Sequence, residues 1–299
     1  MMRILNYFKN KSIDKDLSYY QLFNSMSDPK YLSLLIKSTK RPIYRGVKLP
    51  GFPEDAVQRQ FSGSFGEQAL RGAYNFYQCV KKYCVSLENP IKNGTRILDF
   101  GCGWGRIVRF FFKDTSCENL FGVDVDPKMI DFCGKEMHCG NYFLVNSEPP
   151  SVFRDSSIDV IYAFSVFSHL AESTAINWIS EFSRILKPRG ILVATTLDKS
   201  FLDDCEVLRG KDHEFPHHQT MSKIFIPISK YKEDYDNGKF IYAPTGGGGV
   251  RDKSYYGEAL IPRQYIEAQF TKYLSLCDFV NRGHPPFAFP QALFVMQKR

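Results

Sequence analysis

Residues 97–106 read ILDFGCGWGR, an apolar run closed by Asp99 and by glycines at 101, 103 and 105. Glycine has no side chain to hold a ligand off, so a strand that ends in such a loop and leads into a helix brings backbone N–H groups close to one. That is a nucleotide-type site. A second acid, Asp124, closes the next apolar run in FGVDVDP. A carboxylate at the tip of a neighbouring strand can accept hydrogen bonds from both hydroxyls of a ribose. A dinucleotide dehydrogenase also places an acid there, but its loop spaces glycines as GxGxxG to seat a pyrophosphate. Here the glycines alternate and Asp99 precedes them, and an acid in that place repels a pyrophosphate and attracts an ammonium group.

Such residues need elements to hold them. From Thr95 onward, strand-like runs alternate with helical segments: TRILDF, NLFGVDV, YFLVN, IDVIYAF and GILVATT read as strands, the pattern of a parallel sheet covered on both faces. STAINWISEFSRIL places Ile176, Ile179, Phe182 and Leu186 on one helix face, starting after Ser173 and stopping at Pro188 and Gly190. EQALRGAYNFYQCVKKYC aligns Leu70, Ala73, Tyr77, Val80 and Cys84 as an entry helix. IPRQYIEAQFTKYL reads as a helix with Pro262 near its start, followed by closing strands in LCDFVN and QALFVMQ. Residues 1–60, broken by Pro29, Pro42, Pro50 and Pro53, read as a cap. Residues 61–299 read as the main domain, with an insertion over 197–262.

Composition narrows the classes. The 299 residues, 43% hydrophobic and 24% charged, are enough for one large core. The net charge of +7 is scattered among acids without a basic run, so nucleic acid is not the partner it points to. No apolar stretch reaches the roughly 20 residues of a membrane span, and MMRILNYFKNK lacks the apolar centre of a secretory signal, so a cytoplasmic protein is expected. Eight cysteines without a CxxC pair are expected to be reduced, several of them buried.

On these motifs the chain resembles the class I S-adenosylmethionine-dependent methyltransferases. Asp99, Gly101, Gly103 and Gly105 match that family's first motif, Asp124 its ribose-binding acid, and IDVIYAFSVFSHL with RILKPRGILVATT its fourth and fifth strands. The resemblance covers about Thr95 to Thr196. It implies a doubly wound, seven-stranded, mostly parallel α/β sheet (a Rossmann-like methyltransferase fold) and S-adenosylmethionine as cofactor. Residue by residue, it implies Asp99 at the methionine ammonium, Gly101, Cys102 and Gly103 beneath methionine and ribose, Asp124 on the ribose and Val125 against the adenine. Asn146 or Ser147 stands where the family often has Asp. Phe164 and Ser165 would border the reactive methyl. TGGGG, YGEALIP and QALFV are similar to bacterial methyltransferases of surface-glycan or secondary-metabolite pathways.

Methyl transfer from a sulfonium is an in-line displacement, which calls for a base only when the acceptor must lose a proton. The Asn- or Asp-Pro-Pro-aromatic motif of adenine methylation is absent, since AFSV stands there, and no cysteine lies between Ser147 and Leu202 for pyrimidine carbon chemistry. For an oxygen acceptor, His169 in SVFSHL is the base this reading selects. His213 and His217 have the spacing of a helical metal pair, but Pro216 argues against one helix through both, and no metal is expected. Four consecutive glycines ahead of Arg251, Tyr255, Tyr256 and Glu258 suit a mobile lid. These four, with His217 and His218, are the expected acceptor contacts. His284 is expected to pack near the sheet edge. The acceptor expected is a small molecule, sugar or nucleotide-sugar, methylated on oxygen before nitrogen. The alternatives are an RNA methyltransferase or a non-catalytic cofactor-binding partner subunit. Oligomeric state has no sequence signal.

Overall fold

The computed structural model describes residues 17–299. The reading of MMRILNYFKNK as no secretory signal, and the cap before Leu17, therefore lie outside the described residues. The described cap is more regular than its prolines suggest. It comprises α1 (Leu17–Phe23), α2 (Asp28–Ser38), a hairpin of β1 (Ile43–Tyr44) with β2 (Val47–Lys48), and α3 (Asp55–Ser62). Pro29 sits in the first turn of α2, where its missing N–H has no intrahelical partner to lose. The expected boundary at residue 60 falls inside α3, which ends instead at Gly63 with φ +67°.

Helix α4 (Gly66–Ser86) buries Leu70, Ala73, Tyr77, Val80 and Cys84, as its spacing predicts. The alternating part follows as β3 (Ile97–Phe100), β4 (Leu120–Asp124), α5 (Pro127–Glu136), β5 (Asn141–Leu144), β6 (Ile158–Ala163), α6 (Glu172–Ile185) and β7 (Leu186–Thr196). Leu186 opens β7 and does not complete the helix face, and α6 starts at Glu172, ahead of the expected start. The chain after the glycine loop forms tight turns and a 3-10 segment, Val108–Lys113, where an α-helix was expected. The insertion holds α7 (Ser200–Val207), α8 (Pro216–Met221), α9 (Ile228–Asp236) and a hairpin of β8 (Ile241–Ala243) with β9 (Glu258–Leu260). Helix α10 (Arg263–Gln269), β10 (Ser275–Val280) and β11 (Ala292–Gln297) close the chain.

Seven strands form one sheet in the order β10-β11-β7-β6-β3-β4-β5, with β3 to β7 parallel and β10 and β11 antiparallel. This is the doubly wound, Rossmann-like sheet expected. Alternate strand residues feed two cores: Ile97, Val160, Tyr162, Ile191 and Val193 face α4 and the cap, whereas Leu98, Ile161, Leu192 and Ala194 face α6 and α10. The chain winds outward from β3 through β4 and β5, then crosses back to β6. That reversal opens a crevice at the carboxyl ends of β3 and β6, where ligands bind in such sheets.

Two cysteines depart from expectation: Cys117 and Cys139 form a disulfide, while Cys79, Cys84, Cys102, Cys133 and Cys205 are free and buried and Cys277 is free and exposed. His284 is exposed and not packed. Among the described residues no helix is long and apolar enough to cross a membrane.

The cap is tied to the sheet domain through charge. Asp28, at the start of α2, accepts from Lys113 Nζ at 2.8 Å, Lys81 Nζ at 3.0 Å and Gln78 Nε2 at 2.8 Å, and Asp114 completes the cluster through Lys81 and Lys113. Despite its burial, these donors hold the Asp28 carboxyl well below the usual carboxylate range. A depressed folded-state pKa gives stability that is present above the unfolded value and lost as pH falls through the folded one. Asp28→Asn should therefore cost about 2 kcal/mol near pH 7, with the gap to wild type narrowing below about pH 4, as read from denaturant midpoints across pH.

Candidate active site

Strand β4 shapes the glycine loop. Gly101 N and Cys102 N donate to Val123 O at 2.8 and 2.9 Å, Gly103 N donates to Asp124 Oδ2 at 2.8 Å, and Gly105 N donates to Cys102 O at 2.9 Å. The amides a pyrophosphate would take are already engaged, so the geometry excludes the dinucleotide reading. Gly101 is required twice over: its φ is +77°, and a Cβ there would stand 2.4 Å from Val166 Cγ2. Gly105 has another duty than the one expected. Its φ is +74°, a Cβ there would meet Cε of Met137, the residue that caps α5, at 2.6 Å, and it does not line the cavity, so close packing and backbone conformation explain the glycine.

Above the loop lies a cavity of about 730 Å³, within the roughly 300–1,000 Å³ of small-molecule and cofactor sites. Asp99, Gly101, Cys102, Gly103, Asp124, Val125, Asn146, Ser147, Phe164 and Ser165 all line it. So do His169, His217, His218, Arg251, Tyr255, Tyr256 and Glu258. Asp99 is 2% exposed, and its Oδ2 has no hydrogen-bond partner among the described residues. Burial pushes its carboxyl up to about 7; the Tyr162 hydroxyl beside it opposes the rise, the Asp124 charge adds to it, and Arg106 opposes it. Asp124 is better supported. Its Oδ1 accepts from Asp126 N at 2.9 Å while Oδ2 holds Gly103 N, and these bonds offset part of the upward pull of burial.

At the tip of β6, Ser165 adopts φ +58°, a left-handed conformation uncommon for a residue with a side chain. A directed ring of bonds holds it there. Ser165 N donates to Thr195 Oγ1 at 2.7 Å, Thr195 donates to Gln291 Oε1 at 2.6 Å, and Gln291 Nε2 donates to Ser165 Oγ at 3.0 Å. The Ser165 hydroxyl proton is thus left for Ser168 Oγ, 3.4 Å away, or His169 Nε2, 3.5 Å away. On its other side His169 Nδ1 lies 2.8 Å from Gly257 O, and since a carbonyl only accepts, Nδ1 carries the proton and Nε2 the lone pair. Burial pulls the His169 pKa down to about 4, with His217 and Arg251 adding to the fall, so the imidazole is neutral at physiological pH.

The glycine-rich lid is docked on this loop. Gly257 N donates to His169 O and Ala259 N to Ser168 O, each at 2.8 Å, and Tyr256 stacks on the His169 ring at 4.7 Å. Arg251, which lines the cavity with the other expected acceptor contacts, also reaches the loop after β4. Its Nη2 is 3.5 Å from Asp126 Oδ2, and its guanidinium covers the Phe61 ring at 4.6 Å. His213 lies outside α8 and bonds Leu208 O, away from any metal geometry; among the described residues no group of His, Cys, Asp and Glu is arranged to hold a metal ion.

Residues 98–194 match the family model described as a methyltransferase domain. The chain contains a class I S-adenosylmethionine-dependent methyltransferase domain. Over 144 residues it is 29% identical to the sterol 24-C-methyltransferase of Schizosaccharomyces pombe, a match spanning 46% of this chain and 37% of that protein. It is 24% identical over 122 residues to the malonyl-[acyl-carrier protein] O-methyltransferase of Pectobacterium atrosepticum, spanning 38% of this chain and 44% of that one. The chain thus spans less than half the length of these curated relatives. Among solved structures, an S-adenosylmethionine-dependent methyltransferase from Clostridium acetobutylicum shares the fold with TM-score 0.51 at 13% identity, over 75% of this chain and 91% of that one.

The methyltransferase domain fits its cofactor on its own geometry. Asp99 Oδ2 and Trp104 Nε1 are buried without partners among the described residues, on two residues that line the cavity: an acceptor for an ammonium and a donor for a carboxylate. Sequence reasoning missed Trp104 and Arg106, although both stand inside the quoted motif, and also Arg59 to Ser62 of α3 with its cap Gly63, Asp204, Arg282 and Gln291. Gln291 at the head of β11 carries no signal in one chain, because only the folded sheet brings it to Ser165. Gly101→Ala should lower stability by about 2 kcal/mol and weaken S-adenosylhomocysteine binding about tenfold or more, measured by thermal melting and titration calorimetry.

Proposed function

We propose that the protein transfers a methyl group from S-adenosylmethionine to an oxygen of a small molecule or sugar, including a nucleotide-linked sugar, with nitrogen the second choice. The observation that carries this reading is His169, fixed as the Nδ1–H tautomer with its Nε2 lone pair turned to the strand tip at Ser165. When bound, S-adenosylmethionine supplies an electrophilic methyl. This chain's residues do the rest: Asp99 holds the ammonium end, Asp124 the ribose hydroxyls, Val125, Asn146 and Ser147 the adenine, and Phe164 and Ser165 the methyl. His169 Nε2 takes the acceptor's proton, and docking of the lid keeps water out.

The acceptor end suits a polar ring. Tyr255, Tyr256, His217, His218 and Glu258 supply stacking faces and hydrogen-bonding groups, and Arg282 and Gln291 add donors. Its cover by the lid and the insertion favours a molecule that enters whole over an RNA strand, although the net charge of +7 keeps RNA as the second reading. The relatives named above carry carbon and oxygen acceptors in their names, so they do not choose between atoms. A cytoplasmic setting accords with six free cysteines, and the Cys117–Cys139 disulfide is the feature that stands against it.

The test follows a labelled methyl group from S-adenosylmethionine into a bacterial lysate separated into nucleic acid, protein, and glycan plus small-molecule fractions. Label is expected in the last fraction, and label in RNA would overturn the reading. His169→Gln should reduce transfer about 100-fold or more while leaving S-adenosylhomocysteine binding within about twofold.

A further inference from the structure

Glu258 is the one acceptor-side carboxyl whose environment the reaction above leaves unexplained. It opens β9 from the lid side, its side chain is 6% exposed, and it has no hydrogen-bond partner among the described residues. Its two oxygens face different imidazoles: Oε2 lies 3.7 Å from His169 Nδ1, and Oε1 lies 3.7 Å from His217 Nδ1. The two histidines differ in one respect that matters, since the His169 side chain is 16% exposed and that of His217 is 55% exposed. One oxygen thus addresses the buried base and the other a path to solvent.

Methylating a hydroxyl releases one proton inside a covered pocket. If His169 takes it, a buried imidazolium forms, and an uncompensated buried charge is costly. From this arrangement, which rests on the oxygen-methylation reading, we infer that Glu258 compensates the charge on His169 by releasing its own proton through His217 to solvent as the acceptor's proton arrives. In the transfer step the acceptor's O–H bond breaks, its electron pair stays with the oxygen that gains the methyl, and the proton bonds to His169 Nε2. In the same interval the Glu258 proton leaves Oε1 for His217 Nδ1 and then water, so a carboxylate faces the imidazolium across Oε2 and Nδ1. Afterwards His169 gives its Nε2 proton to water in the opened pocket and Glu258 is reprotonated through His217. The net release is one proton per methyl transferred.

The resting protonation states agree with this cycle. Burial pushes the Glu258 carboxyl up to about 8 and pulls both His169 and His217 down, so at neutral pH the acid holds its proton and both imidazoles are uncharged. The other groups that feel Glu258 are Tyr242 on β8, Tyr256 on the lid and Cys205 on α7, all un-ionised near neutrality, with Arg251 and His218 acting on the two histidines. Glu258 is on this account a positioning residue that works through His169.

Nitrogen-15 imidazole spectra of the full chain, saturated with S-adenosylhomocysteine and titrated from about pH 6 to 9.5, test it. Wild type should show one common step near pH 8 in the His169 and His217 ring signals, as the carboxylate forms between them. Glu258→Gln should abolish that step in both rings, and Glu258→Asp should restore part of it. Flat histidine signals in wild type, or a step that survives in Glu258→Gln, would overturn the inference while leaving methyl transfer itself intact. No spectral response to S-adenosylhomocysteine at all would instead bring down the cofactor reading beneath it.

Discussion

A carboxylate buried without a partner is the constraint around which this molecule is arranged. Asp99 lies one residue before the end of β3 at the floor of the crevice, with Oδ2 unpaired among the described residues and its pKa driven up to about 7. Leaving such a group unsatisfied costs roughly 1–3 kcal/mol, an expense a fold sustains where a ligand repays it. Asp124 adds negative charge beside it against one buried cation, Arg106, the loop amides are engaged with Val123 and Asp124, and Trp104 Nε1 is a second buried group without a partner among the described residues, a donor suited to a carboxylate. The same features that repel a pyrophosphate suit a zwitterionic methionine end.

From that floor the site is assembled by elements far apart in the chain. Ser165 at the tip of β6 is held in a strained conformation by Thr195 from β7 and by Gln291 beside β11, so the geometry at that strand tip depends on the closing antiparallel strand. Arg251 extends from the lid to Asp126 and Phe61, while Tyr256 extends from the same lid to His169. One segment thereby touches the cavity at both the β4 loop and the β6 loop.

The sheet was legible in the sequence because β3, β4, β6 and β7 are buried on both faces and read as continuous apolar runs, with glycines and acids marking their carboxyl ends. The loop motif carried Asp99, Gly101 and Gly103 to the cavity because sequence neighbours at a strand end remain neighbours in space, and Asp124 joins them because its strand pairs with β3. Gly105 matched the motif but serves packing on Met137, a distinction that depends on where α5 lies. The insertion was legible only as composition, since α7, α8 and α9 are six to nine residues long and too short for a periodic pattern. Arg251 was assigned by residue type to the acceptor, and only the path of the loop shows it against Asp126. The disulfide joins two cysteines 22 residues apart whose meeting depends on β4 and β5 pairing side by side, which spacing alone does not reveal.

The account turns on Asp99 meeting a cation, and calorimetric binding of S-adenosylmethionine as a function of pH tests that most directly. In the free protein the carboxyl holds a proton below about pH 7, and a bound ammonium favours the carboxylate, so binding must expel that proton. Affinity is therefore predicted to rise from about pH 5.5 to 7, with up to about one proton released per cofactor at the acid end, and Asp99→Asn should bind weakly with a flat profile over that window. A wild-type affinity that does not change across it, with no proton released, would contradict the account.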